Sequence, residues 1–502
     1  MATEPGTEET RPQASSPPPG QAQDADKLSE DQDTDQKDEV LSETNSLTTE
    51  FIRAVDEAID AGNEDEVCRL CEGLHPADLA DLIEQLEQED RRVLVAMLGD
   101  AFDANTLPEL DEDVRDDIVE AMPTEQLAEA VAELDTDDAA FVLEDMAEEA
   151  RAEILAEVPV TERLALQAAL DFEDETAGRL MQRDVFAAPS YWTVGQIIDR
   201  LRSAENLPDL FYEVYVIDPA FKPLGSVSLS RFLKAPRDTV VSDLLVTDDI
   251  RRIPVNLDQE EVAYMFEKYN LISAPVVDDG GRLVGMITVD DVMEIVHEES
   301  TEDMLALAGV EADQGGLSGS LAGTVRSRFT WLFINLFTAI LASVVISFFD
   351  GTIEQIVAVA ILMPIVASMG GNAGTQTLTV AVRNLATKDL TASNAFRIVG
   401  RETAIAFING IAFAILMGGL AGMWYGSIGG GESLQAGVTL GLVLAAAMII
   451  NMLCAGLSGI LIPLGLQRAG ADPAVSSAVF VTTVTDVIGF FAFLGLAAVF
   501  LV

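Results

Sequence analysis

The sequence is poor in cysteine, histidine and positive charge, and each scarcity excludes something. Three cysteines, Cys68, Cys71 and Cys454, are too few for a disulfide framework. Cys68 and Cys71 form a lone CxxC inside a helical pattern with no second ligand pair. They read as ordinary helix residues in a reducing compartment, and neither a zinc centre nor a redox pair is expected. Lys and Arg number 29 against 84 Asp and Glu, a net charge of −55. Such a field repels nucleic acid and anionic lipid and attracts cations, although adaptation to high salt would leave the same bias. No P-loop, nucleophile elbow or metal-hydrolase spacing occurs, so neither an enzyme nor an ATP-driven pump is expected. Residues 1–48 are polar, acidic and rich in Pro, Ser and Gln. With no apolar core of a signal peptide, they are expected to form a disordered acidic tail.

The acid is unevenly spread. From Trp331 onward there are only seven acidic residues (Asp350, Glu354, Asp389, Glu402, Glu432, Asp472, Asp486) and five basic ones (Arg383, Lys388, Arg397, Arg401, Arg468). The other 77 carboxylates precede them. Residues 49–178 read as short helices in series, with apolar residues at helical spacing (Leu79, Leu82, Ile83, Leu86) and breaks at Pro123-Thr124-Glu125 and Pro159-Val160-Thr161-Glu162. The unit is about twelve residues long, which predicts an α-superhelix. In 179–305 the pattern changes to β-rich segments followed by helices. VYVIDPAFKPLGSVSLSRFL and APVVDDGGRLVGMITVDDVM place Gly225 and Gly285 60 residues apart. This internal duplication resembles a tandem pair of cystathionine-β-synthase-type (CBS) modules. Modules of that class often bind adenine nucleotides, so ATP is carried as a further expected ligand on resemblance alone.

A connector at 306–328 leads to five apolar segments, about 329–349, 354–377, 402–425, 434–465 and 474–501, each long enough to span a bilayer. Arg326 and Arg328, then Arg383, Lys388, Arg397 and Arg401, then Arg468 fall on alternate loops, and the intervening loops carry only acid. The positive-inside rule therefore predicts a cytoplasmic N-terminal region and a C-terminus on the opposite face of the inner (plasma) membrane. Within the spans, Asp486 in VFVTTVTDVIGFF is a carboxylate near mid-bilayer. Its insertion costs about 2.5–3.5 kcal/mol, and its span holds no Lys, Arg or His. Thr482, Thr483 and Thr485 add hydroxyls, and Thr482 shares a helix face with Asp486. Gly370, Gly371 and Asn372 lie in MPIVASMGGNAGTQT, where Gly and Pro364 are expected to loosen or break the second span. Asn335, Asn409 and Asn451 add amides that serve either the path or helix packing. An all-oxygen donor set suits a hard cation such as Mg²⁺, Ca²⁺ or Mn²⁺.

The order of acidic helices, paired CBS modules, connector and five spans, with HPADLADLIEQL, DETAGRLM, MGGNAGTQT and TTVTDVIG, resembles the MgtE family of Mg²⁺ channels or transporters over about 50–502. The resemblance implies a multidomain membrane protein: a cytoplasmic α-superhelical N domain, a tandem α/β CBS pair, a linking plug helix at 306–328 and a five-helix transmembrane domain at 329–502. It implies a homodimer in the lipid bilayer with a central path, Asp486 as the pore aspartate, and no obligate partner protein. It further implies Mg²⁺ as cargo and as regulator, closing the path from acidic sites between the N domain, CBS pair and plug. The sensing residues carried over are Asp258, Glu260, Asp291, Glu294, Glu299, Glu302 and Asp303, with Asp472 ahead of the last span. Glu294 stands where some relatives have Asp, and Asn270 where some have an acid. Independently of the family, Glu298, Glu299, Glu302 and Asp303 crowd one stretch whose repulsion a divalent ion would relieve. Two other readings remain: a broader carrier for Mn²⁺ or Co²⁺, and a membrane-anchored nucleotide or ionic-strength sensor with no transport role.

Overall fold

A computed structural model describes residues 40–41, 46–144, 146–203, 211–245, 250–310, 321–391, 393–427 and 433–502. Most of the expected tail thus lies outside the described residues. The chain divides into two compact units, one ending at Ala168 and one beginning at Ala169.

The first unit is a series of short helices: α1 (Thr49–Asp60), α2 (Glu64–Cys71), α3 (Pro76–Gln85), α4 (Gln88–Leu98), α5 (Glu112–Ala121), α6 (Thr124–Glu133), α7 (Thr136–Glu144), α8 (Glu148–Glu157) and α9 (Val160–Leu170). From α5 onward each begins twelve residues after the last. Helices α3, α5, α6 and α8 end on an apolar residue in extended conformation, at Leu86, Met122, Leu134 and Val158. All four side chains are buried. The apolar residue breaks the helix and anchors the corner in one step, and its burial contributes roughly 1.5–3 kcal/mol. N-caps set the starts: the Thr48 and Asn63 side chains accept from the Phe51 and Glu66 amides, and Pro76 occupies the first turn of α3. Cys71 is buried, and burial pushes its thiol up to about 12, while Cys68 Sγ lies 3.7 Å from the Met97 carbonyl. These are the ordinary helix positions that the sequence suggested.

The second unit opens with two copies of one motif. Strands β1 (Ala187–Pro189), β2 (Glu213–Ile217) and β3 (Pro223–Ser228) form one sheet, and β4 (Ile253–Pro254), β5 (Ser273–Val277) and β6 (Leu283–Thr288) the other. In each the first pair is parallel and the second antiparallel. Gly225 pairs with Val216 and Gly285 with Val276, and the register slips at the next residue in both. The duplication therefore extends to an irregularity of hydrogen bonding. Helices α10 (Val194–Ser203) and α11 (Leu229–Lys234) flank the first sheet; α12 (Gln259–Tyr269) and α13 (Val289–Leu307) flank the second. The Tyr215 hydroxyl donates to Ser273 Oγ at 2.8 Å, a buried bond between the repeats. The DETAGRLM segment docks on the second repeat. The Ala177 and Gly178 amides reach the Leu257 and Val255 carbonyls, and Gln182 pairs with Met286. Gly285 permits this approach, because a Cβ there would stand 2.6 Å from the Gln182 carbonyl.

The five apolar segments are helices long enough to cross a membrane: α14 (Leu321–Ser347), then, after a short α15 (Asp350–Gln355), α16 (Val357–Ala386), α17 (Ala395–Ser427), α18 (Leu434–Arg468) and α19 (Pro473–Phe500). Helix α18 is the most buried of the five, and α14 buries almost none of its apolar length. The expected break in the second span is not there. Helix α16 runs continuously through Pro364 and the Gly-Gly-Asn segment. Pro364 removes one backbone donor, which a helix packed against neighbours tolerates, and Gly370 and Gly374 are spent on close contacts instead. Gly315, Gly316 and Gly319 of the connector lie outside the described residues.

Candidate functional site

Two constellations carry the chemistry, one within the membrane helices and one where the CBS pair meets them. The first is set by the rotation of α19. Val481, Thr485 and Gly489, four residues apart, form the stripe that packs inward. Val481 and Thr485 are fully buried. A Cβ at Gly374 of α16 would stand 2.6 Å from Val481 and 3.5 Å from Thr485. The Thr485 hydroxyl donates to the Thr482 carbonyl at 2.9 Å, so it serves the helix itself.

Thr482 and Asp486 each follow one residue after that stripe and so turn about 100° away from it. Thr482 is exposed and Asp486 half-buried. Among the described residues no hydrogen bond or ion pair reaches the Asp486 carboxylate. Asn372 is exposed too, but it lies two residues from both Gly370 and Gly374, on the opposite side of α16 from their stripe. A Cβ at Gly371 would meet nothing within 4 Å. Of the expected pore residues, Thr482 and Asp486 therefore share a face, Gly370 and Thr485 are packing positions, and Asn372 and Gly371 stand apart. Asn335 and Asn409 are exposed, whereas Asn451 is fully buried.

The second constellation gathers around α13. Its buried side, Val292 and Ile295, continues through Glu299 and Asp303 to Ala306, which packs with Leu378 and Val382 of α16 and Ala474 and Val481 of α19. Carboxylates thus lie on a stripe that ends in the membrane helices. Asp258 caps α12 by accepting from the Glu260 amide at 3.0 Å, and Asp472 caps α19 by accepting from the Ala474 amide at 2.8 Å. Burial, and then Asp258, Asp303 and Asp472, raise Glu260 above the usual carboxylate range, against the pull of Lys388. Burial and Asp472 raise Asp303. Glu299 is pushed up to about 7, chiefly by burial, with Glu260, Glu302 and Glu175 adding to the effect. Gln259 Nε2, donating to it at 2.6 Å, opposes the shift.

The fold therefore brings Asp258, Glu260, Glu299, Glu302, Asp303 and Asp472 into mutual electrostatic reach. Asp291 accepts from the amide and hydroxyl of Thr288 in a capping box, and Glu294 lies on the exposed side of α13. Asn270 takes a left-handed conformation at the end of α12, where Asn is well suited. Among the described residues no three His, Cys, Asp or Glu side chains form a ready chelate. A cluster of this kind fits a cation that keeps much of its water, as Mg²⁺ does. The sequence reading missed Lys388, which it used only to orient the spans. Lys388 follows α16, pairs with Glu261 of α12, and sets its ammonium 4.4 Å from the centre of the Tyr264 ring. Its backbone is left-handed, with φ 55°.

Comparison with known proteins adds the following. A family profile described as a divalent cation transporter matches residues 363–496. A profile for the MgtE intracellular N domain matches 74–175, and one for the CBS domain matches 241–298. The chain is 31% identical over 454 residues to the magnesium transporter MgtE of Thermus thermophilus, covering 89% of this chain and 98% of that protein. It is 29% identical over 341 residues to MgtE of Bacillus subtilis, covering 68% and 73%. Among solved structures, the cytosolic domain of the Mg²⁺ channel MgtE in complex with ATP aligns with a TM-score of 0.46 and 29% identity, over 49% of this chain and 99% of that one.

Proposed function

The chain belongs to the MgtE family of divalent cation transporters, and from that premise we propose that it is a Mg²⁺-selective channel or passive transporter which cytoplasmic Mg²⁺ closes. It is a membrane transporter and not an enzyme. The observation that carries the path is the half-buried Asp486 carboxylate, without a partner among the described residues and beside exposed Thr482 on a face that one chain leaves open. Two copies related by a two-fold axis would turn these faces toward each other. A hydrated Mg²⁺ between them would be held by carboxylate and hydroxyl oxygens through its own waters. The homodimer, entry from the outer face, the plasma membrane and the cytoplasmic placement of the N-terminus belong to this proposal.

Closure follows from the cluster on α12, α13 and α19. Its carboxylates repel one another when the end of α13 is docked on the membrane helices. A cation bound among them favours the docked state, and a ligand shifts an equilibrium toward the state it binds better. ATP is proposed as a second ligand of the CBS pair, on the resemblance of its duplicated fold. ATP titration of the full chain tests this, and no binding at millimolar ATP overturns it.

The test of the path is Mg²⁺ uptake into proteoliposomes. Asp486→Ala is expected to abolish uptake while the protein stays folded and dimeric, and normal uptake overturns the assignment. Competition with Mn²⁺, Co²⁺ and Ca²⁺ separates a Mg²⁺ path from a broader carrier. A wild-type protein that carries no ion would favour the sensor reading.

A further inference from the structure

Asn451 is fully buried in the middle of α18. Its Nδ2 donates to the Val366 carbonyl of α16 at 2.8 Å, across 85 residues of sequence, and its Oδ1 is buried without a partner. Two glycines from two other helices close on this amide. A Cβ at Gly370 of α16 would stand 2.1 Å from Nδ2, and one at Gly489 of α19 would stand 2.7 Å from it. The amide therefore fills a slot whose walls admit no side chain.

We infer that Asn451 is a positioning residue for ion passage: seated between Gly370 and Gly489, it locks the rotation and depth of α19 and so fixes where Asp486 stands. The argument rests on the pore reading above. Gly489 lies one turn after Asp486, on the inward stripe that runs from Val481 and Thr485 on to Phe493 and Ala497. Turning α19 by one residue would bring Ile488 or Phe490 against the amide, where even a methyl group is excluded. The lock works by shape. The single hydrogen bond to Val366 is offset by the desolvation of the partnerless Oδ1, so the amide is not there for stability.

The experiment measures Mg²⁺ uptake and Mg²⁺/Ca²⁺ discrimination by the full chain in proteoliposomes for Asn451→Ala, Gly489→Ala and the double variant, with Asp486→Asn alongside. Each single change is expected to lower uptake by about tenfold or more, the scale of a site displaced by ~1 Å. In the double variant the added methyl enters the space the amide vacated, and most of the uptake is expected to return. Wild-type uptake and discrimination in both single variants, or a double variant no better than the worse single, overturns the inference. If Gly489→Ala does not fold, Asn451→Asp keeps the shape but removes the amide donor. It is expected to change the discrimination and the labelling of Thr482→Cys in a cysteine-free background, and no change in either overturns the inference. Loss of uptake in Asp486→Asn with unaffected Asn451 and Gly489 variants sinks this inference alone. Retained uptake in Asp486→Asn sinks the pore reading itself.

Discussion

Neutralising Glu299 by Glu299→Gln should close the junction without Mg²⁺. The carboxyl is pushed up to about 7, first by burial and then by Glu260, Glu302 and Glu175. Moving a carboxyl that far from its ordinary range corresponds to roughly 3 kcal/mol at full burial. Glu299 is only half-buried and water screens it, so about 1 kcal/mol survives. The sign follows from proton binding. The docked junction binds the proton more tightly than an open one in which Glu299 titrates normally. Docking is therefore favoured below the ordinary carboxylate range, and that advantage is lost as pH rises through about 7. In wild type without Mg²⁺, protease protection of the connector should fall as pH rises from the ordinary carboxylate range to about 7, and level off above it. In Glu299→Gln the fall should be shallower, Glu260 and Asp303 still titrating, and protection about fivefold higher at pH 8, the factor that ~1 kcal/mol supplies. Gln can still accept from Gln259, so the 2.6 Å bond survives. Added Mg²⁺ should change the variant less than wild type, because one cluster carboxylate is gone. A variant less protected than wild type at pH 8, or one that keeps the full pH slope, would refute the reasoning.

Three further outcomes are expected. Lys388→Met leaves Glu261 unneutralised beside Glu260 and removes the contact over Tyr264. A partly exposed pair and a cation–π contact together are worth ~1 kcal/mol, so the Mg²⁺ concentration for half-maximal protection should rise several-fold, and the swap Lys388→Glu with Glu261→Lys should restore it. Gly285→Ala would drive a methyl to 2.6 Å from the Gln182 carbonyl. A loss of about 1–3 kcal/mol should appear as a lower unfolding temperature of the purified protein. Cys71, raised to about 12 by burial, should resist maleimide at pH 8 in the native protein and react once it is unfolded.

What the sequence made legible was whatever repeats or runs. Five apolar segments, a 60-residue duplication and a twelve-residue helical unit are periodic, and period is what hydrophobic burial imposes on a chain. The rotation of a membrane helix is not periodic information. Thr482, Thr485 and Asp486 looked alike in TTVTD, yet packing at Gly374 sends Thr485 inward and leaves the other two on the open face. The same holds for Gly370, a pore candidate by composition and in the structure one wall of the Asn451 slot. Asp291 was expected as a sensing residue on the family resemblance, and its capping bonds with Thr288 are a local contact that the resemblance does not announce. Lys388 and Glu261 lie 127 positions apart, and nothing in either neighbourhood announces the other.

The proposed gating requires the opposing contributions at the junction to be of similar size. Docking packs Ala306 onto Leu378, Val382, Ala474 and Val481, and burying one alanine yields only about 1 kcal/mol. The same docking buries Glu260, Glu299 and Asp303 among other carboxylates, with Asp472 acting on Glu260 and Asp303, and burial first and the neighbouring charges second raise the proton affinity of all three. Lys388 offsets part of it for any Mg²⁺ concentration. What is left is a difference small enough for one bound cation to reverse, since a tenfold preference for the docked state is worth ~1.4 kcal/mol. A larger apolar contact would hold the end of α13 down permanently, and a second lysine would do the work of the ion. On the proposed gating, the acid-rich, cation-poor composition would have a mechanical consequence at this one place: it would leave the closed state short by an amount that Mg²⁺ can supply.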